Sequence, residues 1–317
     1  MSAPPDFDTE PRLAPRPLSG TGLSVFPLGF DACVLGWVTG PDRAREVLDR
    51  FGSVGGNLVS TADHYAAGRS ELMLGAWLGT VERESIVVAT KAGRHPDHPG
   101  LRRAAIRVSV TESLQRLGTE YIDLLSFDGD LLPPDPRQSF AAVAELIDEG
   151  LVKHLAVAHF GAARLRELQS FAEAEGLPRI RTALAEYSLM RRAEWEQELI
   201  PAAADAEVSL IARLPLALGF LTGQVRSKTD LPANPLFDGA LEHVGRRGFR
   251  VLEALEGVAA ARGTSTTSVA LSWVLGRPGV AATIVRVNDL DTLEAGLAAS
   301  AFPLSRQESL LLDEASA

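Results

Sequence analysis

A lysine, Lys91, closes the apolar run SIVVATK. An aspartate, Asp128, closes IDLLSFD. A tyrosine, Tyr65, stands five residues past Ser60 in NLVSTADHY. A phenol, an ammonium group and a carboxylate gathered in one place can donate, accept and stabilise protons beside a carbonyl. An ion pair between Lys91 and Asp128 is expected, because Asp128 is read as sitting level with Lys91. A lysine beside the phenol would favour tyrosinate, drawing its pKa down from about 10. The histidines of HPDH, His95 and His98, have a proline between them and sit in a loop, which counts against a metal site, and no metal is expected. Cys33 reads as a small buried apolar side chain. No Ser-His-Asp grouping, P-loop or zinc-ligand spacing occurs.

The elements that must position these groups are short apolar runs separated by amphipathic segments. LGFDACVLG (28–36), NLVS (57–60), SIVVAT (85–90), IDLLSF (122–127), KHLAVA (153–158), RTALAE (181–186), VSLIA (208–212) and AATIV (281–285) read as strands. Most are unbroken rather than alternating, as strands buried on both faces are. Helical spacing runs between them. Ser70 is expected to cap the helix of SELMLGAWL, and glycines 118, 150 and 176 stand where helices end.

Eight strands alternating with helices, without a Gly-rich loop after the first, predict a single α/β domain: a closed (β/α)8 TIM barrel over residues 20–317 behind a flexible Pro-rich tail, 1–19. Catalytic groups in such barrels lie at the C-terminal ends of the strands. That rule selects Asp31, Cys33, Ser60, Lys91, Asp128, Ala158, His159, Leu184, Arg213 and Arg286, with Tyr65 in the second loop. The polar segment 223–245 reads as an excursion over the barrel mouth.

The 317-residue chain is 46% hydrophobic and carries a formal net charge of -10. The acidic balance argues against nucleic acid or an anionic membrane as partner, and a small-molecule substrate is expected. A single cysteine excludes an intrachain disulfide and suits a reducing cytoplasm. The N-terminus has no basic start or apolar run of a signal peptide, and no stretch is long and uncharged enough to span a bilayer. Composition assigns no oligomeric state. Its richness in Ala, Arg and Leu suits a GC-rich bacterial source and specialised metabolism.

NLVSTADHYAAGRSELMLG, SLQRLGTEYIDLL, GLVKHLAVAHF and ARLPLALGFLTGQ together resemble the aldo-keto reductase family from about residue 20 onward. The resemblance implies a TIM barrel and reduction of carbonyls by NADPH. It also implies a catalytic Asp, Tyr, Lys and His. By position the Tyr is Tyr65 and the Lys is Lys91, but Ser60 stands at the Asp position and Asp128 at the His position. Of the implied cofactor positions, the carboxamide-holding Ser-Asn pair is Ala158-His159 and the glutamine beside it is Leu184. Asp31 replaces a glycine at the end of the first strand. Arg213 lies at the nicotinamide face, Leu216 and Gly219 belong to the following loop, and Arg286 follows the last strand, left to meet a phosphate. Gly296 and Thr292 take the adenine-side positions.

Changes at so many of these positions imply weak NADPH binding or none. Three readings of function follow. One is a non-redox enzyme in which Tyr65, Lys91 and Asp128, with Ser60 as a neutral filler, carry out elimination, isomerisation or cyclisation on a small carbonyl compound. The second is an NAD(P)H-dependent carbonyl or C=C reductase with an altered grip on its cofactor. The third is a catalytically silent binding or scaffold protein.

Overall fold

A computed structural model describes residues 14–317. Eight parallel strands close into a barrel: β3 (Leu28–Asp31), β4 (Leu58–Ser60), β5 (Val87–Ala92), β6 (Ile122–Asp128), β7 (Val152–Ala158), β8 (Ile180–Glu186), β9 (Ser209–Arg213) and β10 (Val280–Val285), with β10 returning to pair with β3. Helices cover the outside: α1 (Pro41–Ser53), α2 (Arg69–Leu78), α3 (Arg103–Leu117), α4 (Arg137–Asp148), α5 (Ala162–Ala174), α6 (Ile200–Asp205), α7 (Arg246–Arg262), α8 (Thr266–Leu275), α9 (Leu290–Ala301) and α10 (Arg306–Ser316). The expected barrel is therefore present.

The barrel interior is filled by apolar side chains. Leu58, Ala89, Leu124, Ala156, Leu184, Ile211 and Ile284 point inward from successive strands and form one buried cluster. Close packing there is what fixes the height of each strand end relative to its neighbours.

The tail reading fails where it can be checked. Residues 1–13 lie outside the described residues, but β1 (Arg16–Pro17) pairs with β2 (Ser24–Val25) as an antiparallel hairpin. Leu18 and Val25 from this hairpin join the interior cluster and plug the bottom of the barrel. Arg16 donates to the carbonyls of Val280 and Leu275 at 2.8 and 2.9 Å. Prolines in the segment masked a strand pair whose stability is tertiary.

Two local expectations are also corrected. The first barrel strand ends at Asp31 rather than running to residue 36. Asp31 accepts from the Cys33 backbone N–H at 3.2 Å and starts a 3-10 turn over Ala32–Val34. Ser70 is not an N-cap, because α2 begins at Arg69 behind Gly68, whose φ is 83°. Buried Ser70 instead donates to the Ala32 carbonyl at 2.6 Å. Its neighbour Glu71 accepts from Thr90 at 2.6 Å and pairs with Arg116 at 2.7 Å. The Ser-Glu pair thus locks α2 onto β5 and α3. The helix ends at Gly118, Gly150 and Gly176 all carry the expected positive φ.

Candidate active site

Parallel register sets the heights of the site residues. Phe30 pairs with Val59 and Asp31 with Ser60, while Lys91 pairs with Ser126 and Asp128 with Ala158. Ser60, Lys91 and Asp128 all belong to the C-terminal mouth. Asp128 nevertheless stands two residues beyond the level of Lys91, about 6 Å at strand rise.

That offset overturns the expected Lys91–Asp128 pair. Lys91, 1% exposed, donates instead to Ser60 Oγ at 3.0 Å and to the Thr61 carbonyl at 2.6 Å. Asp128 faces outward to Arg94 Nε at 3.3 Å, His159 Nε2 at 3.7 Å and His64 Nε2 at 4.0 Å. Ser60 is accordingly a hydrogen-bond partner of the lysine.

Burial, partly offset by Asp31, brings the Lys91 ammonium down to about 8. Its Nζ lies 4.9 Å from the centre of the Tyr65 ring. The expected tyrosinate is not favoured, because burial, reinforced by Asp31, raises the phenol pKa above its ordinary value. At neutral pH Tyr65 is a proton donor.

A second chain of contacts crosses the mouth from β3 to β7. Asp31 is 3.8 Å from Arg213 Nη2, and Arg213 Nη1 donates to His159 Nε2 at 2.7 Å. Burial alone would raise the Asp31 carboxyl, but Arg213, Lys91 and Arg286 outweigh it and hold the group below its usual value. Burial and Arg213 push His159 down to about 4, so its ring is neutral and accepts from the guanidinium. His159 has a φ of 63°, a left-handed conformation unusual for a side chain of its size. The Cys33 thiol is pushed up to about 12 by burial and Asp31, which leaves it un-ionised at neutral pH.

Among the clefts that open at this mouth, two share Arg286. One, of about 510 Å³, is lined by Cys33, Trp37, His64, Tyr65, Arg69, Arg213 and Arg286. The other, of about 230 Å³, lies beside the loop after β9, with Leu216, Gly219, Phe237, Asn288, Thr292 and again Arg286 in its wall. Arg286 therefore stands between them. The segment 223–245 folds over the second cleft in short 3-10 turns, as expected of it. Gly219, with a φ of 88°, is required there, since a Cβ would meet the Phe237 ring at 2.5 Å. Of the remaining strand-end residues, Ala158 and Leu184 are buried and contribute only hydrocarbon.

Sequence reasoning missed the pair Asp63–His64. Asp63 is fully buried and accepts from Ser109 Oγ at 2.6 Å, while His64 Nδ1 lies 3.2 Å from its other oxygen. The adjacency of an aspartate and a histidine was visible, but Ser109 comes from α3 and nothing local announces it. Glu112 was also missed. It brings a ligand atom within 4.8 Å of those of His95 and His98. The two imidazoles stack in parallel with centroids 4.1 Å apart and an interplanar angle of 8°.

Comparison with known proteins agrees with this architecture. The aldo/keto reductase family profile matches residues 29–317. The chain is 27% identical over 300 residues to the uncharacterized oxidoreductase YqkF of Bacillus subtilis (strain 168), covering 92% of this chain and 93% of that protein. It is 28% identical over 310 residues to the aldo-keto reductase dtxS3 of Metarhizium robertsii, covering 88% and 83%. It is 29% identical over 232 residues to the NADH-specific methylglyoxal reductase of Escherichia coli (strain K12), covering 66% and 69%. No helix among the described residues is long and apolar enough to cross a membrane. The profile match spans nearly the whole barrel, and the chain belongs to the aldo/keto reductase family.

Proposed function

We propose that this family member moves protons rather than hydride, catalysing an elimination, isomerisation or ring closure beside the carbonyl of a small metabolite. The carrying observation is a contrast within one mouth. Tyr65 and Lys91 stand together as proton donor and buried cation, while the positions that should hold a nicotinamide carboxamide present Ala158 and Leu184, which have no polar side-chain atom. His159, the third of those positions, is engaged by Arg213. Asp31 adds a buried carboxylate where a polyanionic cofactor would lie. The residues at the nicotinamide end do not fit the group, and no step is assigned to it.

The second cleft favours the alternative, an NAD(P)H-dependent reductase with an altered grip. Leu216, Gly219 and Arg286 still frame about 230 Å³ of space there, beside the start of α9. Arg286 would meet a phosphate.

Calorimetric titration with NADPH and NADH separates the two. Losing three hydrogen bonds at about 1.5 kcal/mol each weakens binding by roughly 10³-fold. The expected result is no binding in the micromolar range. A dissociation constant in the low micromolar range or below reverses the order of the two readings.

A further inference from the structure

We propose that His64, oriented by Asp63, is the base that removes a proton from the carbon next to the substrate carbonyl, while Tyr65 donates to the carbonyl oxygen. The inference rests on the proton-transfer reading above and identifies the base that this reading requires.

The geometry fixes the imidazole. Asp63 is fully buried at the end of the β4 loop, with one oxygen accepting from Ser109 of α3 at 2.6 Å and the other 3.2 Å from His64 Nδ1. Burial would raise the Asp63 carboxyl, but its contacts with His64 and Ser109 more than compensate and hold it ionised. An ionised carboxylate only accepts, so the hydrogen of the neutral ring sits on Nδ1 and the lone pair on Nε2. Nε2 lies 4.0 Å from Asp128, a carboxyl that would stabilise the ring once protonated. His64 is one-quarter exposed and lines the same cleft as Tyr65, against whose ring it packs edge-on at 4.9 Å.

The charged groups that bear on the pair come from each neighbouring element. Asp63 and Tyr65 share its loop, and Asp128 ends β6. Arg94 and His98 lie on the loop after β5, contacting Asp128 and Asp63 respectively, and His159 follows β7. Tyr65, held protonated, cannot supply the base, and Lys91 is committed to Ser60 and Thr61.

The step is redox-neutral. The C–H electron pair becomes the C=C bond of an enol as the proton passes to Nε2, and the carbonyl π pair moves to the oxygen that Tyr65 serves. Tyr65 recovers its proton from that oxygen as the carbonyl re-forms, while the Nε2 proton returns to the same carbon or to the far end of a conjugated enol, or leaves with a group expelled from the β carbon. No oxidant or reductant is needed.

The test uses the full chain. Pyruvate, 2-oxobutanoate and dihydroxyacetone are incubated with it in D₂O without nucleotide, and loss of the signal of the proton next to the carbonyl is followed by NMR. Wild type is expected to exchange these protons, His64→Gln to fall by about 10²-fold, and His243→Gln, remote from the pair, to match wild type. Asp63→Asn, folded by its melting curve, is expected to lower the rate and shift its pH profile. Exchange by wild type with an equal rate in His64→Gln overturns the inference and leaves the proton-transfer reading standing. Absence of exchange by wild type overturns both. Nitrogen-15 spectra of the imidazole give a substrate-free check: Nδ1–H is expected at high pH, with the preference lost in Asp63→Asn, and an Nε2–H tautomer in wild type overturns the assignment.

Discussion

Lys91 Nζ donates to Ser60 Oγ at 3.0 Å, so a buried ammonium group faces a neutral hydroxyl across the β4–β5 pair. The lysine keeps a pKa of about 8 in the fold against its ordinary 10.5. Between those two values the unfolded chain binds more protons than the folded one, so stability rises with pH across that window.

The first prediction follows from that sign. The destabilisation is at full size below pH 8 and disappears above pH 10.5; a shift of this kind corresponds to about 3 kcal/mol. Urea melts of wild type and Lys91→Met are expected to converge or cross as pH rises through the window. A constant difference from pH 7 to pH 11 would contradict it.

Ser60→Asp places a carboxylate against the same ammonium. The substitution is expected to move the lysine titration upward and flatten the alkaline rise in stability. NADPH-dependent reduction of carbonyl compounds is not expected to return, because Ala158 and Leu184 remain. Reductase activity in this single variant would refute that.

Tyr65→Phe removes the donor while keeping the ring. The rate of proton exchange is expected to fall by about 10²-fold. Because burial keeps the wild-type phenol protonated, the wild-type pH profile should carry no tyrosine limb below pH 10. A profile with such a limb, abolished in the Phe variant, would restore the tyrosinate.

Arg213→Met leaves Asp31 and His159 without their shared neighbour. Stripping one partner from a buried charge pair costs about 3–5 kcal/mol, and the exposure of Asp31 is only 1%. Denaturant midpoints measure the loss. The Asp31 contribution has the opposite pH sense to that of Lys91: its depressed pKa stabilises the fold above the ordinary carboxylate value and is lost as pH falls through the folded one. The destabilisation by Arg213→Met should therefore shrink in acid.

Ala66 follows Tyr65 with a φ of 49°, where a Cβ is strained. Ala66→Gly is expected to stabilise the chain by up to about 1 kcal/mol, read as a small rise in melting temperature with activity retained. A fall would mean that the added freedom of glycine in the unfolded chain outweighs the relief.

What the sequence determined by itself was set by periodicity and by chain order. Unbroken apolar runs such as IDLLSF and the glycines closing α3, α4 and α5 carry local signals, and with them came the barrel and the mouth to which Ser60, Lys91 and Asp128 all belong. Elements whose signal is weak or tertiary went unread, among them the β1–β2 hairpin, the helical stretch Trp195–Asp205 and α10, which packs against α7. Only the tertiary structure decided the partners. Strand register set Asp128 two residues above Lys91, which sent the lysine to Ser60 and the aspartate to Arg94. Burial decided the protonation of Tyr65, Cys33 and His159. Ser109, 46 residues away along the chain, decided the orientation of Asp63 and through it of His64. Hydrogen bonds and desolvation depend on distances between strands and helices remote in sequence, and those distances exist only once the barrel has closed.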